Sequence, residues 1–404
     1  MVLSDRDLLP AGSATSHKPF NRPWSDSTLP TPASTGQGSP GQFDPTAATT
    51  YPGHSWSPVA ACGTWADAQR MAHWLTSAAR DGDGGLQGEA HWASLARMML
   101  APLLYAAANT HRGIADVVSW VKTRNEAEVL DALEATGQRE AFEAAASAFA
   151  AEPRRKDSVY GTVETILEVF ADPDVGAATR SSEITAHGLL DGTARTLYLC
   201  ATADEQARLR PLFVALINTV IAAARAREQA TGQPLDPPLL MVLDEAANVA
   251  PLRDLDELAS TARGLGIQLV TIWQDLAQLR ARYRDRAHTV LNNHKATVVL
   301  SGSKDPATLE HISRLVGDAR LVRESTTTDA EGRTSTTQGA DYRRLTPDHA
   351  LRLMPPGEGL LIYGTLPPTR IQLRPWFRDK TLRARSAGSG RTLEHASTNA
   401  TLRT

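Results

Sequence analysis

The chain of 404 residues is poor in cysteine and in aromatic residues, and this scarcity excludes several protein classes. Its two cysteines, Cys62 and Cys200, are far apart and form neither a CxxC pair nor a metal-ligand spacing. A disulfide scaffold and a zinc module are therefore excluded, and unpaired thiols in a reducing compartment are predicted. The beginning of the sequence lacks the layout of a signal peptide, and the longest apolar stretch, residues 212–224, is too short to span a bilayer. A soluble, cytoplasmic chain is predicted.

Strong charge of one sign is also missing, because the formal net charge is only −3. No global field therefore argues for or against a nucleic-acid partner. The charge is nevertheless distributed unevenly. Residues 126–152 carry seven acidic side chains against one arginine, whereas eight basic residues and two acidic ones follow from Arg370 onward. The sequence predicts an acidic surface in the first half and a basic tail at the end.

Composition divides the first half of the chain into two parts. Residues 1–55 are rich in Pro, Ser, Thr and Gly without a stable period, so they are predicted to be disordered. From Trp65 to about Phe170, apolar residues recur at three- and four-residue spacing, which is typical of amphipathic helices. Residues 56–185 are therefore predicted to form an all-α domain.

The second half alternates short apolar runs with helical patterns, which predicts an α/β fold. We expect a parallel sheet covered on both faces, since each parallel crossover needs a helix. The predicted strands are 196–200, 239–243, 267–273, 296–300, 359–363 and 369–373, and the predicted helices are 204–228, 252–265, 276–283 and 306–316. The Thr/Ser/Gly-rich segment 325–340 is predicted to be a loop. The α/β domain is assigned to residues 186–376 and a basic, mobile tail to residues 377–404.

The strongest chemical signal is an apolar strand, residues 239–243, that ends in Asp244 and Glu245. This is the layout of a Walker B motif, in which a buried strand delivers carboxylates to the edge of the sheet where ligands bind. Asp244 would hold Mg²⁺ and Glu245 would polarise the attacking water. The plainer alternative is that both residues only begin a loop and cap the next helix.

Three further features accompany this motif. Gln274 follows the next strand and is placed to sense a γ-phosphate or to orient water, or else it only begins a helix. Arg263 ends the intervening helix, where a guanidinium is able to reach a neighbouring subunit's nucleotide or simply complements the helix dipole. Four arginines crowd one short stretch and suggest contacts with a DNA backbone, a solvated charged face being the alternative; they are Arg280, Arg282, Arg284 and Arg286.

The order of these pieces resembles a known family, the TraG/TraD-like coupling proteins of conjugation and type IV secretion, within the FtsK/HerA group of RecA-like motors. The resemblance is tight over residues 190–320. It rests on a succession of short motifs, which are Leu243-Asp244-Glu245-Ala246, Arg263-Gly264-Leu265-Gly266-Ile267, Ile272-Trp273-Gln274-Asp275, Gln278-Leu279, Tyr283, Leu291-Asn292-Asn293, Leu309-Glu310-His311-Ile312-Ser313 and Leu315-Val316-Gly317.

This resemblance implies specific roles and partners. It implies a Walker B Asp244, a catalytic Glu245, an arginine finger at Arg263 and a glutamine sensor at Gln274. An intact motor would bind ATP and Mg²⁺, form a homo-hexamer, and move single-stranded DNA or a DNA–protein substrate from the relaxosome towards a secretion channel. Residues 186–376 would be the RecA-like portion of the TraM-recognition type, and residues 65–175 the helical insert that precedes Walker B. Such a protein would work at the cytoplasmic face of the membrane.

The sequence departs from the family pattern at the phosphate-binding loop. No segment matches GxxxxGK[ST], and the nearest candidates, residues 82–88 and 302–304, have the wrong spacing. Without that loop no backbone nest and no lysine would hold the β-phosphate. The family's N-terminal membrane helices are missing as well. We therefore expect a truncated reading frame, or a loop supplied by a separate polypeptide, and no ATP hydrolysis by this chain alone.

Two other functions remain open on sequence grounds. The chain would be a non-catalytic adaptor if the acidic surface of residues 126–152 attracts a basic relaxosome or substrate protein. Deletion of that surface would then spare DNA binding. The chain would be an unrelated α/β metalloenzyme if Asp244 and Glu245 had further ligands. That reading ranks last, because no histidine or carboxylate cluster supplies them.

Overall fold

The helical part of the chain comes first in the computed structural model, which describes residues 41–79, 87–328, 332 and 334–384. A short strand, β1 (Gly41–Phe43), precedes it. The helices are α1 (Trp65–Ala78), α2 (Gln87–Asn109), α3 (Ile114–Thr123), α4 (Glu126–Thr136), α5 (Arg139–Phe149), α6 (Pro153–Leu167), α7 (Pro173–Ala178) and α8 (Ala186–Leu189). The bounds follow local capping chemistry. Thr64 caps α1 through the Asp67 amide, and α4 ends at Gly137 in the left-handed region.

Order begins earlier than the composition suggests, so the prediction of disorder up to residue 55 is wrong for residues 41–55. Strand β1 pairs in parallel with β2 (Leu197–Leu199). Phe43 is fully buried and makes edge-to-face contacts with Trp56 and Phe213, each at 6.2 Å between ring centroids. A few large aromatic side chains thus supply the buried area that an average over a Pro/Ser-rich window conceals. Residues 1–40, the rest of the predicted disordered segment, lie outside the described part.

The second half contains the predicted alternation of strands and helices. Its elements are α9 (Gln206–Thr231), β3 (Leu239–Leu243), α10 (Leu255–Leu265), β4 (Ile267–Thr271), α11 (Leu276–Tyr283), α12 (Ala287–Asn293), β5 (Ala296–Leu300), α13 (Pro306–Val316), β6 (Asp318–Thr328), β7 (Thr334–Arg344), α14 (Asp348–Arg352), β8 (Glu358–Tyr363) and β9 (Thr369–Gln372). Four of them, β3, α11, β5 and α13, have the predicted bounds.

Strand pairing corrects the expectation of one parallel sheet. Strands β3 and β4 are parallel, but β5 is antiparallel to β8, which in turn pairs with β9. The described strands form separate hydrogen-bonded sheets, and β2 bonds to β1 rather than to β3. A helix after each strand indicates a crossover but does not identify the partner strand. A later segment of the chain therefore became the neighbour of β5.

The segment predicted as a loop, residues 325–340, belongs instead to a long hairpin of β6 and β7. Eleven residues of each strand pair in antiparallel register, from Asp318 with Arg344 to Thr328 with Thr334. The Thr/Ser-rich composition of this segment had predicted turns. Threonine is β-branched and fits a pleated strand, which explains why a Thr-rich segment is able to form this ribbon.

The expectation that helices cover both sheet faces is wrong for the β3–β4 pair. Leu239, Met241 and Leu243 pack into the core together with residues of α9 and α10. On the other face Leu240, Val242 and Ile272 each keep 38% of their surface exposed. The two helices nearest to these strands in the chain lie on a single face. Among the described residues, the opposite face remains an apolar surface.

Helix α9 is a core helix. By length and composition it is the single helix in the described ranges that is apolar enough to cross a membrane. However, 61% of its most apolar window is buried inside the fold, where Leu212, Phe213 and Leu216 pack against the helical part and Val220 and Ile221 against the sheet. Its hydrophobicity is thus accounted for by packing between the two halves.

Both thiols are free and buried, which makes their reactivity predictable. Burial, with a contribution from Asp44, raises the pKa of Cys200 to about 11, and burial also raises the pKa of Cys62. An unfolded thiol ionises at a pKa of about 8.5, so stability is unaffected below about pH 8 and falls as pH rises from there towards 11. We expect slow alkylation by iodoacetamide at pH 8 in the native protein and fast alkylation in guanidinium, followed by mass spectrometry. Rapid native labelling of both residues would contradict this packing.

Candidate functional site

The carboxyl ends of β3 and β4 bring the predicted acidic pair and the predicted glutamine to one edge of the sheet. The Ile272 amide donates to the Leu243 carbonyl at 3.0 Å, and the Ala246 amide donates to the Ile272 carbonyl at 3.3 Å. These bonds extend the parallel pairing past the last strand residues. Asp244 and Glu245 on one strand therefore lie beside the segment that carries Gln274 on the other.

The Glu245 carboxylate is held by two side-chain amides. The Gln274 Nε2 atom lies 3.2 Å from Glu245 Oε1 and 3.4 Å from Oε2. The Asn248 Nδ2 atom donates to Glu245 Oε2 at 2.8 Å. A carboxylate that accepts hydrogen bonds from two amides is fixed in direction. The two residues singled out in the sequence are thus in contact.

Asn248 was missed by sequence reasoning. The turn that places it begins at Glu245, whose backbone has a φ of 51° in the left-handed region, unusual for a residue other than glycine. The Asn248 amide donates to the Glu245 carbonyl at 2.8 Å, and the Glu245 amide donates to Asp244 Oδ1 at 3.1 Å. The available signal was an amide residue three positions after the glutamate. Strained backbone of this kind concentrates at functional sites.

Asp244 is exposed at this edge and has the donor chemistry of a magnesium ligand. Within the described ranges no cluster of three or more His, Cys, Asp or Glu side chains that could hold a metal ion is found. Mg²⁺ usually keeps several waters and binds through one or two carboxylates together with substrate phosphates. A single exposed carboxylate beside Glu245 fits that mode of binding.

Arg263 lies at the other end of the strands. It is an exposed residue in the last turn of α10, four positions before β4 begins at Ile267, and Ile267 pairs with Leu239 at the start of β3. Five strand residues separate that edge from Asp244, which is roughly 17 Å at the usual rise per residue. The structure therefore does not bring Arg263 to the carboxylates of its own chain.

Known proteins resemble this chain in sequence and in fold. The sequence matches the family described as "Type IV secretory system Conjugative DNA transfer" over residues 42–398, which is most of the chain. The chain belongs to this family.

Curated relatives of this family member share part of its length. The conjugal transfer protein TraG of Escherichia coli is 28% identical over 255 residues, which are 57% of this chain and 40% of TraG. The protein VirD4 of Agrobacterium fabrum is 26% identical over 223 residues, which are 54% of this chain and 32% of VirD4. The chain thus spans less than half the length of these curated relatives.

Solved structures of the conjugative coupling protein TrwB have the same RecA-like α/β fold. A sulphate complex of TrwB matches with a TM-score of 0.65 at 20% identity, covering 83% of this chain and 74% of TrwB. TrwB in complex with ADP and Mg²⁺ matches with a TM-score of 0.64 at 19% identity, covering 83% and 73%. The predicted fold class is confirmed.

The four clustered arginines of this family member do not form one exposed surface. Arg286 is half-buried, donates to Asp256 Oδ1 at 2.9 Å and lies 4.0 Å from Asp254, so its charge is already compensated. Arg282 is half-buried, whereas Arg280 and Arg284 are exposed. A DNA contact stays a prediction for the exposed Arg280 and Arg284. Arg286 instead connects the start of α12 to α10 through its bond with Asp256.

The acidic segment is less negative than its composition indicates. Glu126 pairs with Lys156 at 2.9 Å, Glu128 pairs with Arg112, and Glu143 accepts from Arg139 Nε at 2.7 Å. Two of its seven acidic side chains are therefore paired with cations from outside the segment, and a third with the segment's own arginine. This pairing weakens the main observation in favour of an adaptor.

Proposed function

We propose that the chain is a subunit of a conjugative coupling machine, in which ATP hydrolysis moves single-stranded DNA or a DNA–protein substrate towards a secretion channel. The observation that carries this proposal is the Glu245 carboxylate, oriented by Gln274 and Asn248 beside the exposed Asp244, in a chain of the conjugative DNA transfer family. Relatives include TraG, a conjugal transfer protein, and TrwB, a coupling protein solved with ADP and Mg²⁺. A nucleotide-hydrolysing motor requires an oriented carboxylate of this kind beside a residue able to hold Mg²⁺.

Each residue has a chemical role in this proposal. Asp244 would hold Mg²⁺, which neutralises charge on the phosphates when it is bound. Glu245 accepts a proton from the attacking water at its carboxylate, and the amide of Gln274 keeps that carboxylate and the water in line. Asn248 restricts the rotation of Glu245. Efficient hydrolysis depends on this positioning, because phosphoryl transfer needs orientation and charge stabilisation more than covalent chemistry.

We propose that other subunits or segments supply the remaining requirements. The sequence contains no GxxxxGK[ST] loop, so we propose that phosphate binding depends on a segment outside these 404 residues. The position of Arg263, away from the carboxylates of its own chain, suits an arginine finger that acts on a neighbouring subunit of a homo-hexamer. The proposed partners are relaxosome and secretion-channel proteins, at the cytoplasmic face of the membrane.

Removal of the gene from donor cells tests this function. We expect transfer of the mobile element to fall to the background level and to recover when the gene is supplied in trans. Removal of the gene from recipient cells serves as the control and should leave transfer unchanged, because the machine acts in the donor. Undiminished transfer from donors that lack the gene would refute the proposal.

A further inference from the structure

Two large aromatic rings stand exposed at the end of the described chain. Trp376 and Phe377 each keep 45% of their surface accessible. Their rings lie edge to face, with centroids 6.1 Å apart and planes at 84°. Both rings therefore keep surface that a ligand is able to contact. Exposed aromatic surface of this kind marks binding sites more often than chance placement does.

The segment that carries these rings is held in shape. Residues Trp376–Arg378 form one turn of 3-10 helix that begins after Pro375, whose ring fixes its backbone. The Arg378 amide donates to the Pro375 carbonyl at 2.9 Å, and the Asp379 amide donates to the Trp376 carbonyl at 3.2 Å. The rings are thus presented by a hydrogen-bonded turn, and binding would not have to order the backbone.

Positive charge surrounds the rings. The Arg378 guanidinium lies 6.0 Å from the centroid of the Phe377 ring, and Lys380 follows two residues later and is exposed. The nearby acid, Asp379, is paired with Arg374, and its side chain is only 8% exposed. The surface offered to a ligand therefore combines two half-exposed aromatic rings with two cationic side chains.

We propose that this turn, residues 374–380, binds single-stranded nucleic acid, with one base stacked on Trp376 and the adjacent phosphates contacted by Arg378 and Lys380. Base stacking on aromatic rings beside basic groups is the common mode of sequence-independent binding to single strands. The inference deepens the proposed function and rests on it for the identity of the substrate. A lipid surface suits the turn less well, because membrane binding through an interface needs a longer amphipathic face.

Fluorescence anisotropy of an end-labelled oligo(dT) strand, titrated with the full chain, tests this site. We expect Trp376→Ala and Trp376→Leu to weaken binding about tenfold, because both remove the stacking surface, and Trp376→Phe to retain most of it. Tyr363→Ala, which removes another half-exposed ring, is the matched control and should bind normally. Combined Arg378→Gln and Lys380→Gln should make the slope of log Kd against log salt shallower by about 1.4.

Thermal unfolding of each variant checks that the fold is intact, and an exposed ring should contribute little to it. Unchanged DNA binding by folded Trp376→Leu would overturn the proposal. So would absence of binding by the parent chain, or loss of affinity for vesicles of anionic phospholipid without loss of affinity for oligo(dT). The transfer defect of a deleted donor is a separate result, so failure here leaves the proposed function to be judged on its own test.

Discussion

Donor cells that carry Glu245→Gln should transfer DNA at least a hundredfold less often than parental donors. Glutamine keeps the size of the side chain but is unable to accept the proton of the attacking water, and a positioned general base contributes about 10² to 10⁴ in rate. The hydrogen bonds from Gln274 and Asn248 would be disturbed as well, since two amides would now face a third. Mating frequency with the altered gene at its native locus is the measurement.

The matched control is Glu164→Gln, which removes an exposed carboxylate from the helical part. It should transfer normally, and immunoblots should show equal amounts of all three proteins. Normal transfer by Glu245→Gln donors would remove this residue from the mechanism. That result would favour the alternative in which the chain docks substrate proteins without taking part in hydrolysis.

Gly266→Ala should destabilise the protein by about 3 kcal/mol, a large fraction of the stability of a typical domain. Gly266 has a φ of 74°, where a Cβ atom costs about 1–2 kcal/mol. That Cβ would also stand 2.4 Å from the Leu235 amide nitrogen and 2.6 Å from its carbonyl oxygen. Backbone atoms are unable to move aside cheaply, because Leu235 and Leu239 donate hydrogen bonds to Leu265 and Gly266 here.

The control for this prediction lies two residues earlier. Gly264 lies in the last turn of α10, which ends just before Gly266, and a Cβ added there meets no atom within 4 Å. Gly264→Ala should therefore leave stability unchanged or raise it by up to about 1 kcal/mol, through the higher helix propensity of alanine. Urea unfolding measures both variants. Equal stabilities of the two would contradict the packing of α10 and β4 against Leu235.

The proximity of Glu245 and Gln274 could be predicted from the sequence because its determinants are local. An apolar run ending in Asp244 and Glu245 and a second ending near Gln274 are short patterns, and parallel strands place their ends together. Asn248 escaped notice because its role depends on the left-handed backbone of Glu245, which no periodicity reveals. The distance of Arg263 from Asp244 and Glu245 could not be predicted from the sequence, because it depends on the direction in which α10 runs in the fold.

Long-range pairing was the part that the sequence did not determine. The strand at residues 296–300 was predicted with its observed bounds, but its antiparallel partner, β8, comes from a segment some sixty residues later. The hairpin of β6 and β7 was hidden by its Thr/Ser composition, and the order at Phe43 by the composition of the window around it. In each case the partner of a strand or side chain depends on which surfaces meet in the folded chain. The local propensity of a segment does not determine that partner.

Direct contact between this chain and the transferred DNA strand is the core of the proposed function. Ultraviolet irradiation links protein to nucleic acid only where they touch, so irradiated mating donors should yield the chain bound to the transferred DNA strand after denaturing purification. We expect enrichment of that strand over chromosomal DNA, and loss of the enrichment in donors where the transfer reaction is not initiated. Transfer that depends on the chain without any such cross-link would contradict the claim and make the chain an adaptor.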